Sequence, residues 1–231
     1  MGDIRRQLVE AGTAILERDG LQALSVRKLA AEVGTSTMSV YTHFGSMNGL
    51  TEALVNETFA RLGQALGAVP PTDDPVADFI AMRIAYREFA LASPQRYQLM
   101  FGTAAPASLL NYRSDLTVTG LPTSNDAWGM SFGALRGAVH RMIEAGRIRD
   151  GDDGVIAGRL WSVSHGAVML EMAGLFGHEG HGLTEILLPL TVDVLVGMGD
   201  DRERATQSLA AVLGEAAVGP QDGTSGEAGC I

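Results

Sequence analysis

The sequence predicts an all-α fold. Apolar residues recur at three- and four-residue spacing along most of the 231 residues, and no stretch alternates apolar and polar as a strand would. Helix start and stop signals punctuate the periodic runs. The hydrophobic content of 46% is ample for a core, and the length fits one or two domains.

The first helix carries Ile4, Leu8, Ala11 and Ile15 on one stripe and gives way at Gly20-Leu21, with Leu24 following. Ser25 is suited to cap a short helix whose buried face is Val26, Leu29, Ala30 and Val33, although Lys28 stands where a capping box needs an acid. Gly34 ends that helix with a residue that tolerates the left-handed conformation. Thr35 and Ser36 cap a second short helix running to about Phe44. On it Val40 and Phe44, four apart, face inward. Thr37, Met38, Ser39, Thr42 and His43 are thereby left outward, with Tyr41 at the margin. Two short helices joined by a tight turn form a helix-turn-helix, which offers its second helix to the major groove of DNA. The outward residues are suited to a groove, since hydroxyls serve bases or phosphates and Met38 can touch a thymine methyl.

Leu50, Leu54, Phe59 and Leu62 line a long helix from about Ser46 to Leu66, which ends in a Gly67-Ala-Val-Pro-Pro turn. Asp74-Pro75 starts the next, through Phe79, Ile84 and Phe89, and Ser93-Pro94 repeats the signal for a shorter one, Gln95 to Phe101. Residues 102–123 read as a loop with one turn of helix around Ala107–Tyr112. Helices are expected at Asn125–Ala145, at Asp153–Phe176, and at Leu183–Gly197 with a kink at Pro189. An amphipathic helix at Asp201–Ala217 precedes a tail, GPQDGTSGEAGCI, of disordered composition. The expected organisation is a DNA-binding domain at 1–46, a helical body at 47–200 and a partly disordered tail at 201–231.

Composition narrows the function. The net charge is −10, yet residues 1–50 balance Arg5, Arg6, Arg18, Arg27 and Lys28 against Asp3, Glu10, Glu17, Asp19 and Glu32. The helix-turn-helix region therefore lacks a bulk basic footprint, and its few cations must cluster near phosphates with helix N-termini assisting. No apolar run reaches the ~18 residues of a membrane span, and the charged N-terminus is unlike a signal peptide. The single cysteine, Cys230, excludes an internal disulfide. These features point to a cytoplasmic protein with no membrane partner.

Other chemistry is discounted. His178-Glu-Gly-His181 misses the four-residue spacing of a helical zinc pair and reads as loop. Asp150-Gly-Asp-Asp-Gly154 lacks a calcium-loop register and reads as a turn and cap. No phosphate loop, dinucleotide fingerprint or nucleophile elbow is present, so no catalytic residue, metal or cofactor is expected.

The run Gly34-Thr-Ser-Thr-Met-Ser-Val-Tyr-Thr-His-Phe44, followed by Leu50, resembles the DNA-binding domain of TetR-family transcriptional regulators. The helices on either side extend the resemblance over about the first quarter of the chain. It implies that Thr37, Met38 and Thr42 hold base-reading positions, and that Ser39, Tyr41 and His43 hold phosphate positions. Thr35 and Ser36 would stand at the mouth of the reading helix, and Arg27 where the preceding helix meets the DNA backbone. One departure is Met47, where the family usually has a phosphate-binding lysine.

Further on, Ser93-Pro-Gln-Arg-Tyr-Gln-Leu-Met-Phe-Gly102 and Trp161-Ser-Val-Ser-His165-Gly166 resemble the TetR C-terminal domain named for its Trp, His and Gly. That implies a helical ligand-binding and dimerisation domain in which two late helices, here 153–176 and 183–197, pack across a two-fold axis. Both are apolar on more than one face, and Gly158, Gly166, Ala167, Ala173 and Gly174 would allow close approach.

Candidates for an effector pocket are Met82, Tyr86, Phe89, Met100 and Phe101, with Trp128, Phe132, Trp161, Met169 and Met172. Arg136, His140 and His165 are the polar candidates. For each, plain core packing is the competing reading; His165, four after Trp161, fits either. The expectation is a homodimeric repressor that binds a palindromic double-stranded operator and is released by a small hydrophobic or aromatic effector. Two other readings remain at this level: a binding protein whose helix-turn-helix no longer touches DNA, and a helical enzyme with an aromatic pocket.

Overall fold

Three small hydroxyl side chains set the helices of the N-terminal third. In the computed structural model, which describes residues 2–101, 126–177 and 179–217, helix α1 (Gly2–Asp19) leads through a 3-10 turn to α2 (Val26–Val33). Ser25 Oγ caps α2 by accepting from the Lys28 amide at 3.2 Å, and Gly34 closes it in the left-handed region at φ 71°. Ser36 Oγ accepts from the Ser39 amide at 3.1 Å and opens α3 (Thr37–Phe44). Ser46 Oγ does the same for Gly49 and opens α4 (Met47–Gly67). Gly49 is sterically required, because a Cβ there would lie 2.1 Å from the Phe44 carbonyl oxygen. Leu8, Ile15, Leu16, Leu29, Val40, Leu50 and Leu54 close the core beneath these helices.

Helix α4 runs on into a second layer of helices. Asp74 caps α5 (Pro75–Ala92) by accepting from the Val76 and Ala77 amides. There follow α6 (Pro94–Phe101), α7 (Asp126–Glu144) and α8 (Asp153–Met172). The Asp150–Gly154 stretch is a turn and a cap, Asp152 accepting from the Val155 amide at 2.9 Å. A π-helical turn (Gly182–Leu187), α9 (Leu188–Gly197) and α10 (Arg202–Ala217) complete the fold. Among the described residues there are ten α-helices and no strand, and no helix is long and apolar enough to cross a membrane.

Three details differ from the sequence expectation. Helix α8 stops at Met172 rather than Phe176, where Ala173 and the positive-φ Gly174 turn the chain. The helix expected at Leu183–Gly197 is not α-helical throughout: the turn before Pro189 widens to π geometry. Pro189 has no amide for the Glu185 carbonyl and its ring crowds that oxygen, which the wider turn relieves. Helix α10 packs on α5 and α9 with Ala205 and Ser208 buried, which carries the packed body past residue 200. The expected loop at 102–123 with its turn at Ala107–Tyr112, His178, and the tail with Cys230 lie outside the described residues.

Beside the N-terminus of α5, Arg147 is 5% exposed and fully engaged. It donates to both Asp200 oxygens at 2.9 Å, to Asp74 at 2.8 Å and to Ser208 at 3.1 Å. Ser208 donates in turn to Asp74 at 2.6 Å, tying α5, the α7–α8 turn and α10 together. Burial works to raise the Asp74 pKa, but the Ser208 hydroxyl, two backbone amides and Arg147 overcome it and hold the carboxyl below its ordinary range.

Candidate functional site

Two places on the molecule concentrate chemistry. The first is α3. Val40 is buried and Phe44 packs on the first core, which fixes the rotation of the helix. Met38 is 70% and Tyr41 48% exposed, and Thr37 and Thr42 are exposed beside them. Ser39 and His43 are half-buried, and the Thr42 hydroxyl donates to the Met38 carbonyl at 2.9 Å. No acid occurs between Glu32 and Glu52, so the helix presents an uncharged polar face with the amide ends of α3 and α4 close by.

The cations of the N-terminal helices divide into two groups. Lys28 pairs with Asp19 at 2.8 Å, and Arg18 pairs with Asp19 and Glu32 at 3.0 and 3.2 Å. Arg27 is exposed with no ion pair among the described residues, and the Arg5 guanidinium lies 5.3 Å from the Phe44 ring at the end of α3. Overall neutrality therefore conceals an arrangement: Asp19 and Glu32 are answered by Arg18 and Lys28, Glu10 by Arg6 and Glu17 by Arg96, and Arg27 is left available. Met47 packs partly buried against the core and supplies no cation.

The second place is a cavity of about 40 Å³ lined by α4, α5, α6, α7 and α8. Phe59, Leu62 and Leu66 come from α4, and Phe79, Met82, Arg83 and Tyr86 from α5. Phe101 closes one side, Trp128, Ser131, Phe132 and Leu135 another, and Trp161 and Ser164 the last. The rings form a continuous box: Phe59 stacks on Trp128 at 5.2 Å, and Phe101 meets Phe59, Trp161 and His165 at 4.8–5.7 Å.

One polar chain runs along this box. Trp161 Nε1 donates to Tyr86 Oη at 3.2 Å, Tyr86 and Tyr97 hydroxyls meet at 2.6 Å, and Tyr97 Oη lies 2.6 Å from His165 Nδ1. Trp can only donate, so the order that pairs both hydroxyl protons runs Trp161 to Tyr86 to Tyr97 to His165, with the histidine proton on Nε2. Burial pushes the Tyr86 hydroxyl up to about 12 and raises Tyr97 further, while it lowers His165. All three are therefore neutral at physiological pH.

The sequence model for bacterial regulatory proteins of the tetR family matches residues 8–54. That for the tetracyclin repressor-like C-terminal domain matches residues 79–195, half of the chain. The chain belongs to the TetR family. Relatives are transcriptional regulators rather than enzymes. The uncharacterized HTH-type transcriptional regulator Rv0681 of Mycobacterium tuberculosis is 29% identical over 74% of this chain and 71% of its own length. The HTH-type transcriptional regulator Rv1816 of the same species is 27% identical over 92% and 93%. Among solved structures, a protein of unknown function from Rhodococcus sp. RHA1 superposes with TM-score 0.68, 27% identity, and coverage of 85% and 96%. RolR, solved with resorcinol, shares the fold at TM-score 0.61 and 14% identity, covering 90% and 93%.

Within this TetR-family chain, the sequence candidates separate. Met82, Tyr86, Phe101, Trp128, Phe132 and Trp161 line the cavity. His165 stands one step behind the wall, held by Tyr97. Phe89 is turned to Arg96, whose guanidinium lies 6.0 Å from its ring, and Met100 and Met169 pack in the core. Arg136 does not reach the cavity: its Nη2 donates to Asp153 at 2.7 Å, at the start of α8. His140 faces Glu144 at the surface.

Arg83 is the residue that sequence reasoning missed. It is 3% exposed on the cavity wall, and none of its three guanidinium nitrogens has a hydrogen-bond partner among the described residues. The signal was present: Phe79, Arg83, Tyr86 and Ala90 fall on one helical face, so a cation interrupts an apolar stripe.

Proposed function

We propose that this TetR-family regulator is a homodimeric repressor whose α3 reads a palindromic operator and whose interhelical cavity takes a small hydrophobic or aromatic effector. The observation that carries the reading is the continuity of α4. The helix begins one turn beyond α3, and its far half forms a wall of the cavity. A second link is the ion pair at 2.7 Å between Arg96 of α6 and Glu17 of α1.

The cavity volume supports a two-state mechanism. About 40 Å³ holds two or three waters, whereas a cavity of about 150 Å³ admits benzene. An aromatic effector must therefore part the walls, α4 among them. It shifts the protein only by its preference for the opened state. In the opened state the reading helices of the dimer depart from the ~34–36 Å spacing that successive major grooves demand.

Dimerisation is supported by α8, whose outward residues Ser162, Gly166 and Leu170 are small or apolar, with exposed Ala173 and Leu175, the latter 67% exposed, just beyond it. The resorcinol complex of RolR supports an aromatic effector class.

Selection from a random duplex pool at moderate salt tests the operator reading. An enriched inverted repeat is expected, and folded dimer that enriches nothing overturns it. On that operator, Tyr41→Ala and Thr42→Ala should each weaken binding roughly 5–150-fold, the range of about 1–3 kcal/mol, without changing the dimer. Unchanged affinity in both variants would mean that another surface reads the DNA.

A further inference from the structure

Arg83 has no carboxylate to answer it among the described residues. Asp78, five residues earlier on α5, is taken by Thr72 and Arg141. Glu171 is taken by Arg87, one turn later, whose Nε donates to it at 2.8 Å. The Arg83 guanidinium lies 5.6 Å from the Phe79 ring, which offers a quadrupole but no hydrogen-bond acceptor. A buried guanidinium with all its donors unanswered is costly, and proteins keep buried charges paired. Burial pulls its pKa down to about 10, still above physiological pH, so the group remains a cation.

From this geometry we infer that the cavity is built for an organic anion: a monocarboxylate with an aromatic or aliphatic body, its carboxylate paired with Arg83 and its body among the rings of the box. This deepens the effector reading above and rests on it. The planar guanidinium offers two parallel N–H groups to a carboxylate, a geometry that a neutral amide or alcohol cannot match. Phe59, Phe101, Trp128 and Trp161 supply the apolar surround that makes such a pair specific.

The test uses the full-length dimer and its own fluorescence, since both tryptophans of the chain, Trp128 and Trp161, stand in the cavity wall. Cinnamate and octanoate are titrated beside cinnamamide and octanamide, in the parent and in Arg83→Met. The acids should bind the parent at least about tenfold more tightly than their amides, as hydrogen bonds to a charged group imply. In Arg83→Met that preference should vanish, with amide binding kept and the ligand-free protein melting no lower than the parent. A residue needed only for structure would lower the melting temperature instead.

Equal affinity for acids and amides in the parent overturns the inference. So does unchanged acid affinity in Arg83→Met, or tryptophan emission that neither series perturbs. The parent comparison decides even if the variant does not fold. Operator release, followed in the same samples, separates the two readings. Acids that bind without releasing DNA leave the anion site standing and remove its effector role. Release by the amides alone keeps the effector role and removes the anion site.

Discussion

Arg147 and Arg83 serve the same helix, α5, at nearly equal depth, 5% and 3% exposed. Arg83 is part of α5, and Arg147 binds its N-cap, Asp74, nine residues earlier, about 13 Å along the helix. Arg147 meets two carboxylates and a hydroxyl; Arg83 meets rings. The first is complete within the chain and joins three segments into one body. The second is complete only with something brought from outside. Burial alone therefore does not say whether a charge holds a fold together or waits for a ligand; the inventory of its partners does.

The largest test of this contrast is Arg147→Met. It strands Asp200, whose side chain is fully buried, and should lower unfolding free energy by about 3–5 kcal/mol in denaturant titration. A loss below about 1 kcal/mol would place the network among the weak surface pairs. Arg83→Met, the same substitution at the same depth, should act with the opposite sign, raising stability by about 1–3 kcal/mol as an unanswered donor set is removed. Equal losses at both positions would erase the distinction.

Smaller effects sharpen the boundary between cavity and core. Tyr86→Phe removes one proton from the Trp161–Tyr86–Tyr97–His165 chain and should cost about 1 kcal/mol. The smallest is a pH slope. Burial lowers the His165 pKa, so below about 6.5 the unfolded chain takes a proton that the folded one refuses. The part of stability owed to His165 is full above that pH and falls as acid is added. Unfolding measured from neutral pH downward should show the slope, and His165→Gln, which can still accept from Tyr97, should flatten it. A parent with the same slope as the variant would assign the pH dependence elsewhere.

The two ends of the chain were unequally legible. The reading helix followed from local signals: Ser25 and Ser36 as caps, Gly34 as stop, Val40 and Phe44 as anchors, all within 20 residues. The cavity depends on which faces of five helices meet, and periodicity marks a face without naming its partner. Met82, Tyr86, Trp128 and Trp161 were found because aromatic and Met-rich composition survives that ambiguity. Phe89, Met100 and Met169 share the composition but face the core. Arg136, one of the three polar candidates the sequence offers, is held instead by Asp153, 17 positions on. Arg83 carried a local signal, a cation in an apolar stripe, that composition-led reasoning passes over. The neutral charge of residues 1–50 concealed the pairing of Arg18 and Lys28, because Asp19 and Glu32 meet them across the α1–α2 contact.

The hydrogen atoms of the cavity wall have a further consequence. Tyr86 gives its proton to Tyr97, Ser131 gives its own to the Trp128 carbonyl, and Ser164 to the Leu160 carbonyl. Each of these oxygens faces a guest with lone pairs alone, while Arg83 faces it with hydrogens alone. The lining is thus divided by its protons: a visitor brings acceptors to Arg83, and a hydroxyl hydrogen on its body would be met by these oxygens. A phenolic acid offers both, and capping its phenol with a methyl group would remove the hydrogen these oxygens could accept.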